Sequence, residues 1–266
     1  MPFPVYEHLK VDQEVGVLRL RLNRPRVYNA LNGTTIAELG DCLGRITAGL
    51  GSRVLVLSGE GPAFCSGVDL EWMRKAANFT MDENLEDANR LAELLSLLND
   101  CPIPTVARAH GAIFGGGVGL LAACDTVVAA DDARFSLSEV KLGLLPAVIS
   151  PLVVAKIGES HARALFASGR RFDAERALRI GLVHQVVGTA ELDDAVRAVI
   201  RDHLSAAPGA AAEARALINL VKGKTPLAAR AETTRIIARL RSEPEGREGV
   251  AAFLEKRKPA WIEGDA

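Results

Sequence analysis

The chain is poor in the features that mark specialised protein classes. It has four cysteines in 266 residues, Cys42, Cys65, Cys101 and Cys124, and no two of them form a Cys-x-x-Cys pair. That scatter argues against a zinc site and fits reduced thiols in a cytoplasmic setting. No uninterrupted apolar run is long enough to span a bilayer. The opening Met1-Pro-Phe-Pro-Val-Tyr-Glu-His8 carries neither the basic nor the apolar segment of a signal peptide. Neither charge sign is in excess: 32 Lys and Arg stand against 33 Asp and Glu, a formal net charge of -1. The sequence therefore offers no overall electrostatic reason to bind nucleic acid or an acidic membrane. Internal repeats, low-complexity tracts and long linkers are also missing.

What is present is an ordinary globular composition, 48% hydrophobic and 24% charged, long enough to bury a full core. Apolar and polar residues alternate from Val15 to Leu22, which predicts a strand. Asn32, Thr34 or Thr35 can cap an amphipathic helix reaching about Leu50. Arg53 to Ser58 is a short apolar strand of the kind found in a sheet covered on both faces. Together these make a βαβ unit. Asp82–Asp100 predicts a long helix, and Pro104–Ala109 and Thr126–Ala130 two further strands, the second followed by Arg134–Leu137 and a turn holding Ser138 and Glu139. From Pro151 the pattern turns helical (Pro151–Ile157, His161–Ser168, Ala174–Ile180), with one strand at Leu182–Val187. Four more helices follow: Leu192–Ala206, Ala210–Val221, Leu227–Ser242 and Pro244 to about Arg257. The expected fold class is α/β, divided as 1–195 for the core and 196–266 for a helical region.

The stretch Arg108-Ala-His-Gly-Ala-Ile-Phe-Gly-Gly-Gly-Val-Gly-Leu-Leu-Ala-Ala-Cys-Asp125 is the centre of this organisation. A strand that stops at glycines and restarts as a small-residue helix presents backbone N–H groups at the helix start. Such a turn suits a phosphate or an oxyanion. The phosphate motifs fail: Gly-x-Gly-x-x-Gly from Gly115 reaches Gly117 but then Leu120, and no lysine follows for a Walker A loop. A nucleophilic-serine elbow fails too, since Phe64 stands where glycine is needed before Ser66. Taken alone, the triple glycine reads as a packing turn rather than as a binding site.

Four spaced motifs change that. Ala63-Phe-Cys-Ser-Gly-Val-Asp-Leu70, His110-Gly-Ala-Ile-Phe-Gly-Gly-Gly117, Cys124-Asp125 and Phe135-Ser-Leu-Ser-Glu-Val-Lys-Leu-Gly-Leu-Leu-Pro146 stand in the order of the enoyl-CoA hydratase/isomerase (crotonase) family, which the chain resembles from Asn23 to Lys258. The resemblance implies a crotonase fold: a repeated ββα spiral core with a C-terminal helical trimerisation region, assembled as a homotrimer or a hexamer. It implies an acyl-CoA thioester as substrate, with no metal and no further cofactor. By resemblance, the oxyanion hole is made by the N–H groups of Ser66 and Gly116, and Glu139 is the catalytic carboxylate. The loop Arg24–Tyr28, with Arg26 and Val27, would hold CoA together with Cys65, Ser66, Val68, Asp69, Leu70, Gly115 and Gly116. Phe253 and Lys256 match residues that reach the CoA of a neighbouring subunit. Trp72 and Met73 either line the acyl pocket or pack, and His110 and Asp125 are expected to be structural.

The sequence departs from the family pattern at one informative position. Two-glutamate hydratases carry their first glutamate where Gly119 stands here. A single carboxylate in an apolar pocket can have its pKa raised toward neutrality, which suits proton transfer. It can serve a hydratase that uses one glutamate both as base toward water and as proton donor. It can equally serve a Δ3-Δ2 isomerase. Finer stretches, Val68-Asp-Leu-Glu-Trp-Met73 and Leu137–Pro151 with Ala147-Val-Ile-Ser150 among them, resemble bacterial methylglutaconyl-CoA hydratases of leucine or isoprenoid breakdown. The favoured expectation is hydration of a 3-branched or carboxylated enoyl-CoA. The rivals are the isomerase and a non-catalytic relative that binds acyl-CoA or RNA.

Overall fold

A computed structural model describes residues 3–47 and 51–262. Two compact units divide the chain, Met1–Val199 and Ile200–Ala266. In the first, six strands form one sheet in the order β1-β2-β3-β4-β6-β9. These are β1 (Leu9–Glu14), β2 (Gly16–Leu22), β3 (Ser52–Gly59), β4 (Thr105–Ala109), β6 (Thr126–Ala130) and β9 (Gln185–Val187). Only the β1–β2 hairpin is antiparallel; β2, β3, β4, β6 and β9 run parallel. Parallel neighbours need crossovers, and α1 (Gly33–Gly44) and α3 (Met81–Asn99) supply the first two. A second sheet of three short strands, β5 (Ala112–Phe114), β7 (Arg134–Ser136) and β8 (Phe172–Asp173), stands beside the candidate site. This pairing of sheets agrees with the ββα organisation that the resemblance implies.

Burial follows the sequence pattern. Leu18, Leu20, Leu55, Leu57, Val106, Ala107, Val127 and Val128 are fully buried in the central strands. Truncating one of these leucines to alanine costs about 2–5 kcal/mol. Helix α1 starts at the expected cap: Asn32 Oδ1 accepts the Thr35 N–H at 2.9 Å. It ends at Gly44, short of the expected limit, and Leu50 lies outside the described residues. Helix α3 opens with a capping box between Thr80 and Glu83. Helix α5 (Ser150–Phe166) is broken at Gly158, with φ 76° and ψ 159°, so the two segments expected from sequence stand on either side of a kink. Helices α2 (Leu70–Ala76), α4 (Gly116–Ala123) and α6 (Ala174–Arg179) complete this unit, and α7 (Leu192–Ser205) runs across the division. All four cysteines are buried thiols.

The second unit contains α8 (Pro208–Val221), α9 (Pro226–Ser242) and α10 (Pro244–Glu255). Its helices are tied end to side. Glu245, in the first turn of α10, accepts the Gly209 and Ala210 N–H groups at 3.0 and 2.9 Å, so its carboxylate meets the start of α8. Arg239 of α9 pairs with Glu213 of α8 and with Glu243. No helix among the described residues is long and apolar enough to cross a membrane.

Candidate active site

Two glycine-rich turns meet through backbone contacts. After β3 the chain forms the loop 60–69. Phe64 N–H donates to the His110 carbonyl at 2.9 Å, Cys65 N–H to Ala112 at 3.2 Å, and Phe114 N–H returns to Cys65 at 3.0 Å. A side chain at Gly117 would place its Cβ 2.4 Å from the Cys65 carbonyl oxygen, so only glycine lets the turns approach this closely. Asn29, buried at 1% exposure, staples the first turn from outside. Its Nδ2 donates to the Glu60 and Ala63 carbonyls at 2.8 and 2.7 Å, and its Oδ1 accepts the Arg24 N–H at 2.8 Å.

The backbone donors differ from the expected pair in one member. Ser66 N–H is engaged, donating to the Tyr28 carbonyl at 3.0 Å, and so is not open to a ligand. Its hydroxyl makes only a 3.4 Å bond to the Val27 carbonyl. Two residues on, the chain runs extended beside Leu31. Leu31 N–H donates to Gly67 O at 2.7 Å, and Asp69 N–H donates to Leu31 O at 2.9 Å. Alternation along an extended segment then turns the Val68 N–H away from Leu31. Among the described residues, no acceptor takes the N–H of Val68 or of Gly116, the first residue of α4. Leu31 also adjoins Gly116, because its Cδ1 lies 2.9 Å from where a Gly116 Cβ would stand. The Ser66 N–H, expected to face a ligand, is therefore engaged, while among the described residues the N–H groups of Val68 and Gly116 are open.

Glu139 opens the 3-10 turn Glu139–Leu142 that follows β7. Its Oε1 lies 3.0 Å from the position of a Gly115 Cβ, which sets the carboxylate over the triple-glycine turn. Gly115 there has φ 47°, a conformation that glycine adopts freely. The Oε2 atom is buried and has no hydrogen-bond partner among the described residues. Burial raises the pKa of this carboxyl above the ordinary glutamate value, opposed by its own N–H. Gly115 N–H donates to the Ser136 carbonyl at 2.9 Å, so β7 carries Glu139 while holding the turn beneath it.

Other expected ligand residues separate into rim and support. Arg26, Val27, Val68 and Leu70 are exposed. Cys65 is fully buried, its thiol pushed up to about 12 by burial, partly offset by the Gly67 N–H; it supports the loop and cannot touch a ligand. Asp69 is committed inward as well. Its Oδ1 accepts the Glu71 and Trp72 N–H groups at 2.8 and 3.1 Å, and its Oδ2 accepts Arg24 Nη1 at 2.8 Å. Its main-chain carbonyl accepts the Met73 N–H at 2.9 Å. Asp69 thus orders the loop and starts α2, which corrects its expected part in holding CoA. Trp72 packs: its ring lies 2.6 Å from a Gly33 Cβ position, meets Phe79 edge-on at 5.9 Å and donates Nε1–H to Asp87 at 3.2 Å.

His110 and Asp125 are structural. The His110 Nδ1 accepts from Arg108 Nη1 at 3.1 Å, because a guanidinium only donates; Nε2–H therefore donates to Gly61 O at 2.8 Å. Asp125 Oδ2 accepts the N–H and hydroxyl of Thr105 at 2.7 and 2.9 Å. Phe253 and Lys256 belong to the second unit, both exposed, with Lys256 ending α10 at φ 55°. Sequence reasoning missed Asn29 and Leu31 altogether. The only available hint was that Tyr28-Asn29-Ala-Leu31 links an Arg-Pro turn to a helix cap.

The chain is similar to known proteins along nearly its whole length. The family model for enoyl-CoA hydratase/isomerase matches residues 12–264. The enoyl-CoA hydratase ACTT6 of Alternaria alternata is 36% identical over 220 residues, covering 81% of this chain and 70% of that protein. An enoyl-CoA hydratase structure from Shewanella pealeana superposes with TM-score 0.92 at 38% identity, covering 96% of each chain. An enoyl-CoA hydratase/isomerase structure from Marinobacter aquaeolei gives TM-score 0.91 at 32% identity over 97% of this chain and all of its own. With its two linked glycine turns, paired sheets and match along nearly its whole length, the chain belongs to the enoyl-CoA hydratase/isomerase family.

Proposed function

We propose that the protein is a hydratase that adds water across the 2,3 double bond of a 3-branched or carboxylated enoyl-CoA, such as methylglutaconyl-CoA, with Glu139 as its single catalytic carboxylate. The observation that carries this reading is a half-buried, raised-pKa carboxylate set over a turn whose first helical N–H, that of Gly116, has no acceptor. The Val68 and Gly116 N–H groups bind the thioester oxygen and stabilise the charge that develops on it, each donor contributing about 3–4 kcal/mol. Glu139 takes a proton from water as the oxygen bonds to carbon 3. The electron pair of the double bond moves toward the thioester oxygen. The same carboxyl then delivers its proton to carbon 2, so that one water is added and the carboxylate is regenerated.

In this reading CoA lies along the exposed rim of Arg26, Val27, Val68 and Leu70. Phe253 and Lys256 reach it from a neighbouring subunit of a homotrimer or hexamer. A coupled hydration assay over crotonyl-CoA, 3-methylcrotonyl-CoA and 3-methylglutaconyl-CoA tests the substrate assignment. Faster turnover of the branched esters is expected, and equal or greater rates on crotonyl-CoA would overturn it. The lack of a side chain at Gly119 also favours a second reading, Δ3-Δ2 isomerisation, which needs only one base. Rapid conversion of a 3-enoyl-CoA to its 2-enoyl isomer, with no hydrated product from any ester, would select it.

A further inference from the structure

Gly119 and Ile149 compete for one volume. Gly119 is fully enclosed in α4, and a Cβ built there would lie 2.4 Å from Ile149 Cγ2, 3.0 Å from Ile149 Cβ and 3.6 Å from Leu95 Cδ1. Ile149 is 3% exposed and Leu95 2%. The obstruction includes the branched Cβ of an isoleucine, which is fixed to its backbone and stiff at χ1, so it cannot swing away as the tip of a long side chain would. That backbone is itself held, since the Ile149 carbonyl accepts the Val153 N–H at 3.1 Å at the start of α5. The room taken at position 149 is therefore the room denied at position 119.

The location gives this exchange a chemical meaning. Gly119 N–H donates to the Gly115 carbonyl at 3.1 Å, so the two residues lie one helical turn apart on the same side of α4. Gly115 is the residue over which the Glu139 carboxylate sits. Gly119 thus stands one turn along α4 from the residue over which the Glu139 carboxylate sits, and Ile149 fills with hydrocarbon the room a side chain there would take.

We propose that Ile149 is the specificity-determining residue of this site. It excludes any second ionisable side chain from position 119 of α4 and presents in its place an apolar wall that accepts a branch at carbon 3. The part of this proposal that concerns substrate preference rests on the hydratase reading above; the shared volume stands independently of it.

The test is a double-mutant cycle of Gly119→Ala, Ile149→Ala and the two together, read first as thermal stability and then as the ratio of kcat/KM on 3-methylcrotonyl-CoA to that on crotonyl-CoA. Gly119→Ala is expected to lower Tm strongly or to prevent folding, and Ile149→Ala to lower it through the cavity left behind. The double variant is expected to be more stable than the sum of the single effects. Additive losses would overturn the shared volume. So would a double variant that fails to fold when Ile149→Ala folds, because removing Ile149 would not have made the room. Folded Ile149→Ala is expected to reduce the branched-to-linear ratio about tenfold, since lost pocket methylenes change discrimination on that scale. An unchanged ratio would overturn the specificity role. A wild-type protein that hydrates none of the esters would refute the hydratase reading and the specificity role resting on it, while leaving the stability cycle decisive for the packing.

Discussion

Asp69, at the end of the first glycine-rich turn, and Glu139, in the 3-10 turn after β7, belong to one candidate site and live in opposite surroundings. Every acceptor of Asp69 is used: two N–H groups of α2 and the Arg24 guanidinium converge on its carboxylate. Burial alone would raise its pKa, but the N–H of Trp72, the Arg24 side chain and the N–H of Glu71 outweigh it and hold the pKa below the ordinary aspartate value. Glu139 is less enclosed, yet its Oε2 has no partner among the described residues and its pKa moves the other way. A carboxylate with both oxygens held by donors builds structure, whereas one with an oxygen left without a donor is available to move a proton. Closeness to the ligand rim does not separate the two; their hydrogen-bond inventories do.

The contrast breaks most clearly under substitution. Asp69→Asn leaves Arg24 without its counter-charge in a mostly buried position, and a stability loss of about 3 kcal/mol is expected by denaturant unfolding. Unchanged stability would show that the pair carries little. Val68→Pro removes one proposed donor while leaving the Ser66 N–H in place. A kcat loss of about 100- to 1,000-fold is expected, with circular dichroism reporting that the fold persists. Full activity in that variant would return the donor role elsewhere. Glu139→Gln is expected to lower kcat about 100-fold with CoA-ester affinity retained. Ser66→Ala should stay within about twofold of wild type, as a group with one long hydroxyl contact and a structural N–H allows; a large loss would restore a chemical role to that serine.

The pH dependence sharpens the same comparison. Because its folded pKa is raised, Glu139 contributes stability that is fully present below the unfolded glutamate pKa of about 4.3 and is lost as pH rises through the folded value. Glu139→Gln should therefore gain in Tm relative to wild type as pH rises from acid toward neutral. Asp69 has the opposite sign: its contribution is present above the unfolded aspartate pKa of about 3.9 and disappears as pH falls through the depressed folded value. Hydration should likewise fade on acidification through the Glu139 pKa, since the base must be ionised. A flat Tm difference for Glu139→Gln across that range would contradict the environment described for it.

Much of this was legible in the sequence, for identifiable physical reasons. Strands β2, β3, β4 and β6 carry enough apolar residues to show themselves, and the cap at Asn32 marks a helix start chemically. Gly158 was visible as the gap between two helical segments. Strands β5 and β8, of three and two residues, are too short for any periodicity to register. Strand β1 was missed because Lys10, Asp12, Gln13 and Glu14 leave it largely exposed at the sheet edge. Within the site, the motif pointed to the loop 60–69 but not to which of its N–H groups is open. Whether Ser66 or Val68 has an open N–H depends on Tyr28 and Leu31 reaching across from another segment, and spacing along one loop does not encode that register.

Cys65 gives this loop a means of being watched. Its thiol is wholly enclosed and pushed up to about 12, while its carbonyl is clasped against Gly117 and Phe114. Alkylating reagents attack thiolates, so at neutral pH they can modify this cysteine only in the moments when the two turns come apart. Cys42 and Cys124 are shielded in the same way, each also pushed up to about 12. The modification rate of Cys65, followed by mass spectrometry of its peptide under native conditions, is thus a clock for local opening of the loop, with Cys42 and Cys124 as references for the rest of the unit.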